Sequence, residues 1–228
     1  MGLVLKQTSD FRGALEAFRK SLNVARIRNS RSPSGYSIRK EYDSLMEIAE
    51  ALHESGETDV GLTVLRESFE VRRKWTELNI NKDALRTYGG HAYLFYAGGK
   101  LLMRMKRFDE ALDAFREAEN AHLKVLKGEP KQLGNRRNLA TLYLTLGDFH
   151  AGLGVCNFER AKSFDAISES YRYCPTDAIN STKNRTARNY YEKAARLLNE
   201  LETNNTATAE DKENLRLAAE KIRLAEKN

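Results

Sequence analysis

The stretch Lys100 to Glu119, KLLMRMKRFDEALDAFREAE, decides the fold. Two helical halves meet there at a tight turn, Lys106-Arg107-Phe108. Leu101, Leu102 and Met105 share one face ahead of the turn. Behind it Phe108, Ala111, Leu112, Phe115 and Ala118 recur at the i, i+3, i+4, i+7 spacing of a buried helix stripe. Ala111 and Ala118 are small enough for a neighbouring backbone to come close, and Phe115 fills the space beside them. This is the core of a helix–turn–helix repeat, and weaker copies stand elsewhere in the chain.

Working outward, residues 2 to 28 match this stretch in outline. Gly2 and Leu5 end a first helix, Ser9-Asp10 make the turn with Asp10 as cap, and Phe11, Ala14, Leu15, Phe18 and Leu22 form the stripe. The first helix is nearly absent, so the chain is expected to be a piece of something longer or to carry an eroded first repeat. Residues 29–38, rich in Ser with Pro33 and Gly35, read as a loop. A second unit follows, with Leu45, Ile48, Ala49 and Leu52 before a Ser55-Gly56 turn and Leu62, Leu65 and Phe69 after it. Trp75, at its end, reads as a packed side chain.

The third unit contains Gly89-Gly90 and Gly98-Gly99 in its first helix. Glycine inside a helix costs up to about 1 kcal/mol relative to alanine, which close packing at the second pair offsets; the first pair is expected to mark a kink. No strand precedes these glycines and no Gly-Lys-Ser/Thr follows, so they are not a phosphate loop. A fourth unit carries Leu139, Leu142, Tyr143, Leu146 and Gly147, with its turn near Gly154. Its second helix is delayed to Thr186–Leu201, where Ala187, Tyr190, Tyr191, Ala194, Leu197 and Leu198 form the buried side. Between them Phe158, Ala161, Phe164, Ala166 and Ile167 fit a helix of their own or an extension of the first. Thr208 to Asp211 cap a last helix with Leu215, Ala218, Ala219 and Ile222 on one side. A polar outer face there suits the end of an open stack. The resulting division is a repeat domain over 1–206, with units at about 1–28, 39–78, 84–126 and 133–202, an insertion at 155–182, and a capping helix over 207–228.

Composition agrees with an ordered all-α chain. Of 228 residues 41% are hydrophobic and only three are proline, above the range of disordered chains. Charged residues make up 31% and the net charge is +6, but the two signs interleave, as on a solvated helix face rather than a nucleic-acid surface. Cys156 and Cys174 lie in one irregular stretch; ordinary free thiols are the simpler reading, with a disulfide left open. No apolar run reaches the roughly 20 residues of a membrane span, and the first five residues are too short for a signal peptide. A soluble, cytoplasmic segment is expected, unless a membrane helix precedes it in a longer parent. His53, His91, His122 and His150 have no His or Cys at i+3 or i+4, so no zinc pair is expected, and no Gly-x-Ser-x-Gly elbow is present. The expectation is a protein without catalytic residues, metal or cofactor.

These units resemble the tetratricopeptide repeat family. The matching residues are Gly2, Leu5, Ala14 and Phe18; Leu45, Ile48, Ala49, Leu52, Leu65 and Ser68, with Gly61 in place of Ala; Phe95, Gly99, Leu102, Phe108, Ala111, Phe115 and Ala118; and Leu146, Gly147, Gly154, Ala187, Tyr191 and Ala194. The resemblance implies a right-handed superhelical stack of antiparallel helix pairs, an α-solenoid. The equivalent small residues Ala14, Gly61, Ala111 and Ala187 are 47 (61−14), 50 (111−61) and 76 (187−111) apart, against a usual period of about 34, so an irregular superhelix is expected. The interrupted last repeat and charged final helix are similar to the C-terminal repeat regions of some bacterial serine/threonine protein kinases, which implies a role in bacterial signalling. No kinase motif exists in these residues.

In the family the first helix of each pair lines a concave peptide-binding surface. By position this implies Asp43, Met46, Glu50 and His53, then Tyr93, Tyr96, Lys100, Met103 and Arg104, then Thr141, Leu144 and Asp148. Tyr93, Tyr96 and Met103 would be apolar anchors, and Lys100 with Arg104 would meet a carboxylate. The function this implies is a non-catalytic scaffold for a protein or peptide partner. Two alternatives stand beside it. A nucleic-acid-binding repeat requires Arg72, Arg73, Lys74, Arg136 and Arg137 on one continuous surface. A self-association module requires the first repeat to stack on another chain.

Overall fold

The computed structural model describes residues 10–79, 84–152 and 181–226, and among these it is all-helical, with no strand. The helices are α1 (Phe11–Arg31), α2 (Gly35–Glu54), α3 (Thr58–Asn79), α4 (Ala84–Arg104), α5 (Phe108–Gly128), α6 (Leu133–His150), α7 (Ser181–Thr203) and α8 (Ala209–Glu226). The expected helix ahead of Ser9, the turn at Gly154, most of the insertion at 155–182 and both cysteines lie outside the described residues.

Capping sets several of the starts. Asp10 accepts the Gly13 N–H at 2.9 Å at the head of α1. Ser34 and Ser37 exchange reciprocal bonds of 3.1 Å at the head of α2, and Thr208 with Asp211 do the same for α8. The loop expected over 29–38 shrinks to Ser32–Ser34. Asn29 and Ser30 stay helical because their side chains bond within the structure, Ser30 Oγ donating to the Ile27 carbonyl at 2.9 Å and Asn29 to Glu41.

The turns repeat one geometry. After α2 the Glu57 N–H reaches the Leu52 carbonyl at 2.8 Å and the Gly56 N–H reaches His53 at 3.0 Å. Arg107 and Lys106 bond to Leu102 and Met103 in the same way after α4, as Thr206 and Asn205 bond to Leu201 and Glu202 after α7. This motif needs a left-handed residue, supplied by Gly56 (φ 92°), Lys106 (φ 59°) and Asn205 (φ 53°). Phe108 therefore belongs to α5 and not to the turn.

Helices contact their sequence neighbours in order, most extensively as the pairs α2–α3, α4–α5 and α6–α7. Side chains also join each helix to the next but one: Arg26 of α1 to Glu67 of α3, Arg104 of α4 to Glu50 of α2, and Arg66 and Arg73 of α3 to Glu110 and Glu117 of α5. Tyr96 of α4 meets Thr145 of α6, Lys193 of α7 meets Glu119 of α5, and Lys221 of α8 meets Asp148 of α6. The helices thus stand in two rows, α1, α3, α5, α7 and α2, α4, α6, α8, the arrangement of an α-helical repeat.

Rings seated on bare backbone bring the rows together. A Cβ on Gly99 would lie 2.5 Å from Phe115, one on Gly147 2.3 Å from Tyr191, and one on Gly98 2.4 Å from Phe69. All three rings are buried. The kink expected at Gly89-Gly90 is absent: α4 runs unbroken, and Gly90 makes room for the Arg72 guanidinium, which a Cβ would approach to 2.8 Å. Trp75 is half-buried with its indole against Gly35. In α8 Ala218 is fully buried while Ala219, expected beside it in the stripe, is exposed.

Gly89 has open space where a Cβ would go. Gly89→Ala is therefore expected to stabilise the chain by up to about 1 kcal/mol, whereas Gly99→Ala is expected to destabilise it by about 1–3 kcal/mol through overpacking. Urea unfolding of the two variants checks this, and equal effects of one sign would refute the packing account.

Candidate binding face

The positions implied for partner binding fall on α2, α4 and α6, one row of the stack, and the structure sorts them into two groups. On α2, Asp43 is half-buried and its carboxyl is pushed above the usual range by burial, with Arg39 at 3.5 Å opposing the shift. Met46 is half-buried against the main core. His53 accepts or donates at 3.0 Å with Thr58, and burial together with Arg104 lowers its pKa. On α4, Tyr93 is 48% exposed, and its hydroxyl lies in the field of Asp43, Arg39 and Glu47.

The second group is engaged inside the stack. Met103 and Leu144 are buried. Lys100 is only 7% exposed, with its ammonium 4.5 Å from the centre of the Tyr96 ring; burial pushes its pKa down to about 8, against the pull of Glu50. Arg104 pairs with both Glu50 and Glu54 of α2. Tyr96 bonds Thr145 at 3.1 Å, and Thr141 donates to the Arg137 carbonyl at 3.1 Å. Asp148 is 2% exposed and accepts from the Tyr191 hydroxyl at 2.7 Å and from Lys221. The expectation that Met103, Leu144 and Asp148 face a partner, and that Lys100 and Arg104 supply its charge contacts, is corrected accordingly. The reason is steric and electrostatic: the rows approach closely at the glycines, and α8 lies over α6, held by Lys221 on Asp148 and by Arg137 on Asp211 at 2.7 Å.

The arginines named for nucleic-acid binding are likewise engaged. Arg72 is buried, donates to the Thr87 carbonyl and sits 5.4 Å from the Tyr42 ring centre, while its Nε finds no acceptor. Arg73 pairs with Glu70 at 2.6 Å and with Glu117, Arg136 with Glu200, and Arg137 with Asp211. Lys74 alone of the five is exposed without such a bond.

Two polar bridges have no signal in the sequence, because their members are distant along the chain. His91 Nδ1 lies 3.0 Å from the Thr76 hydroxyl and Nε2 3.1 Å from Glu117, with the imidazole stacked on Phe95. Hydroxyl, imidazole and carboxylate stand in a row, but Thr76 is buried and the row clamps α3, α4 and α5 together. Burial outweighs Glu117 and pushes His91 down to about 4. Between α5 and α6, His122 Nδ1 and Asn135 Oδ1 are 2.6 Å apart, and Asn135 donates to the His122 carbonyl at 3.0 Å. Among the described residues no three His, Cys, Asp or Glu side chains are placed to hold a metal ion, and no helix is long and apolar enough to cross a membrane. Among the described residues the geometry defines an all-helical repeat in which Asp43, Met46 and Tyr93 are partly exposed on the row that holds α2 and α4. No protein-family model matches the chain, and no curated protein matches its sequence.

The depressed His91 pKa couples folding to pH. The unfolded chain takes up a proton near 6.5 that the folded chain refuses until about 4. Stability is therefore full above pH 6.5 and lost as the pH falls through this window, by roughly 3 kcal/mol at most. His91→Gln is expected to flatten the fall in urea-unfolding stability between about pH 7 and pH 4.5; an unchanged slope would contradict it. Asp148→Ala removes the acceptor shared by Tyr191 and Lys221, and is expected to cost about 3 kcal/mol. Hydrogen exchange should accelerate first in α8, and uniform acceleration along the chain would count against this role.

Proposed function

We propose that this chain is a non-catalytic scaffold that holds a segment of a partner protein on the α2/α4 stretch of its inner row. Its stack would wind as a right-handed superhelix of the tetratricopeptide kind. Support for that architecture comes from helices paired in chain order, with small residues and rings in contact at the positions the resemblance assigns them. A place in a bacterial cytoplasmic signalling protein rests on the resemblance alone.

The observation that carries the binding reading is Tyr93. It is a large ring left nearly half exposed on α4, with Asp43, Arg39 and Glu47 in electrostatic range and Met46 on the same face of α2. Rigid tyrosine and adaptable methionine suit an interface. With Lys100 buried and Arg104 holding two glutamates, the groups around Tyr93 are its π face and the Asp43 and Glu47 carboxylates, the first of them beside Arg39. The partner segment is accordingly cationic, with a lysine or arginine over Tyr93.

In a fluorescence titration with a short lysine- and arginine-rich peptide, Tyr93→Ala combined with Asp43→Asn is expected to weaken binding at least about tenfold, or 1.4 kcal/mol, with the thermal midpoint unchanged. Equal affinity for the variant and the unaltered chain would sink the site.

A further inference from the structure

Helix α8 is fastened to the stack chiefly by charge. Of its apolar side chains only Ala218 is buried among the described residues; Leu215, Leu217, Ile222 and Leu224 stay partly open to water. Helix α1, the first of the described helices, by contrast buries Ala14, Leu15, Phe18, Leu22 and Ala25. Two ionic contacts join α8 to α6. Arg137 meets Asp211 at 2.7 Å and also donates to the Thr206 carbonyl, and Lys221 meets Asp148.

These contacts match in spacing. Arg137 and Asp148 are 11 residues apart on α6 (148−137), and Asp211 and Lys221 are 10 apart on α8 (221−211). That is about 17 and 15 Å along the two axes. The start of α8 lies by the start of α6 and its later turns by the end, so the two helices run parallel. Between the contacts Leu215 packs on the cluster of Ala140, Leu198 and Leu201, and Ala218 joins the main core. A cation, a carboxylate three turns on and an apolar strip between them suit one kind of ligand: an amphipathic helix of opposite polarity.

Such a fastening opens readily. A buried ion pair contributes little beyond the cost of its own desolvation, and Asp148 Oδ2 is buried without a hydrogen-bond partner. The turn ahead of α8 holds Asn205 at φ 53°, in the region that favours glycine. Elements with little apolar burial open before the rest of a fold. An open α8 strands Asp148, so the face is refilled, by the same helix or by an identical one.

We propose that the α6 face is a helix-docking site whose occupant passes between copies of this chain: α8 of one copy seats on α6 and α7 of a second, with Asp211 on Arg137 and Lys221 on Asp148. Exchange keeps every contact and alters only the turn at Asn205, which makes it a low-cost route to a dimer. It is independent of the binding reading above, which concerns α2 and α4.

The probe is a fluorescent peptide of residues 207–228 added to the full chain. In the Lys221→Glu chain the resident α8 meets Asp148 with a like charge. That chain is expected to bind the peptide at least about tenfold tighter than the unaltered chain does. A peptide that itself carries Lys221→Glu should bind the same chain about tenfold more weakly, a control that leaves the folded chain untouched. Thermal unfolding checks the fold, and Lys221→Gln replaces Lys221→Glu if the latter does not fold. Sedimentation velocity of the whole chain then reads the exchange. Asn205→Ala, which disfavours the turn, should raise the dimer fraction about fivefold or more, and Asn205→Gly should lower it. Equal binding of the two peptides, or no binding to the Lys221→Glu chain, would overturn the docking site. Peptide binding together with an Asn205→Ala chain that stays monomeric would overturn the exchange and leave α8 as an occupant of its own chain alone.

Discussion

The contact on which this structure depends is an aromatic ring pressed onto a helix backbone that has no side chain in the way. Phe115 over Gly99 and Tyr191 over Gly147 bring the two helices of a pair together, and Phe69 over Gly98 joins one pair to the next. A glycine in a helix is unfavourable by itself, so these positions are stable only because the ring fills the space. Once the rings are seated, the relative height of neighbouring helices is set. The charged side chains then fall where they bridge each helix to the next but one.

Those bridges are of unequal weight. Exposed pairs such as Arg66 with Glu110 contribute little each. Arg104 with Glu50 and Glu54, and Asp148 with Lys221, are largely shielded from water, where removing one partner strands the other. Arg72 shows the price of such burial, since its Nε has no acceptor even though Thr87 and Tyr42 engage the rest of the group.

The sequence spells out whatever is local. The stripe Ala111, Phe115, Ala118, the cap at Asp10 and the Thr208–Asp211 start of α8 are contained within one or two helical turns, and they can be read directly. Gly99 was recognisable as a close-packing position because a glycine inside a strong helical pattern requires compensation. Gly90 has the same local pattern, yet its compensation is Arg72 from another helix, and the sequence suggests a kink instead. The row of α2, α4 and α6 is misjudged for a similar reason. Lys100, Arg104 and Asp148 are indistinguishable from surface charges until their distant partners Glu50, Glu54, Tyr191 and Lys221 are in place. Tyr93 differs in being left about half exposed among the described residues.

The seat of Tyr191 on Gly147 has one more consequence. In the two preceding pairs the corresponding residues, Phe115 after Gly99 and Leu65 after Ala49, are sixteen positions apart (115−99 and 65−49), while Tyr191 follows Gly147 by 44 (191−147). The docking of α7 on α6 is the same kind of contact despite 28 extra residues (44−16). Loop closure grows dearer only with the logarithm of length, about 0.6 kcal/mol per doubling. The register of α7 on α6 is therefore set by the Tyr191–Gly147 contact more than by the length of chain between the two helices, and a domain grafted after Gly152 is expected to leave the stack in place.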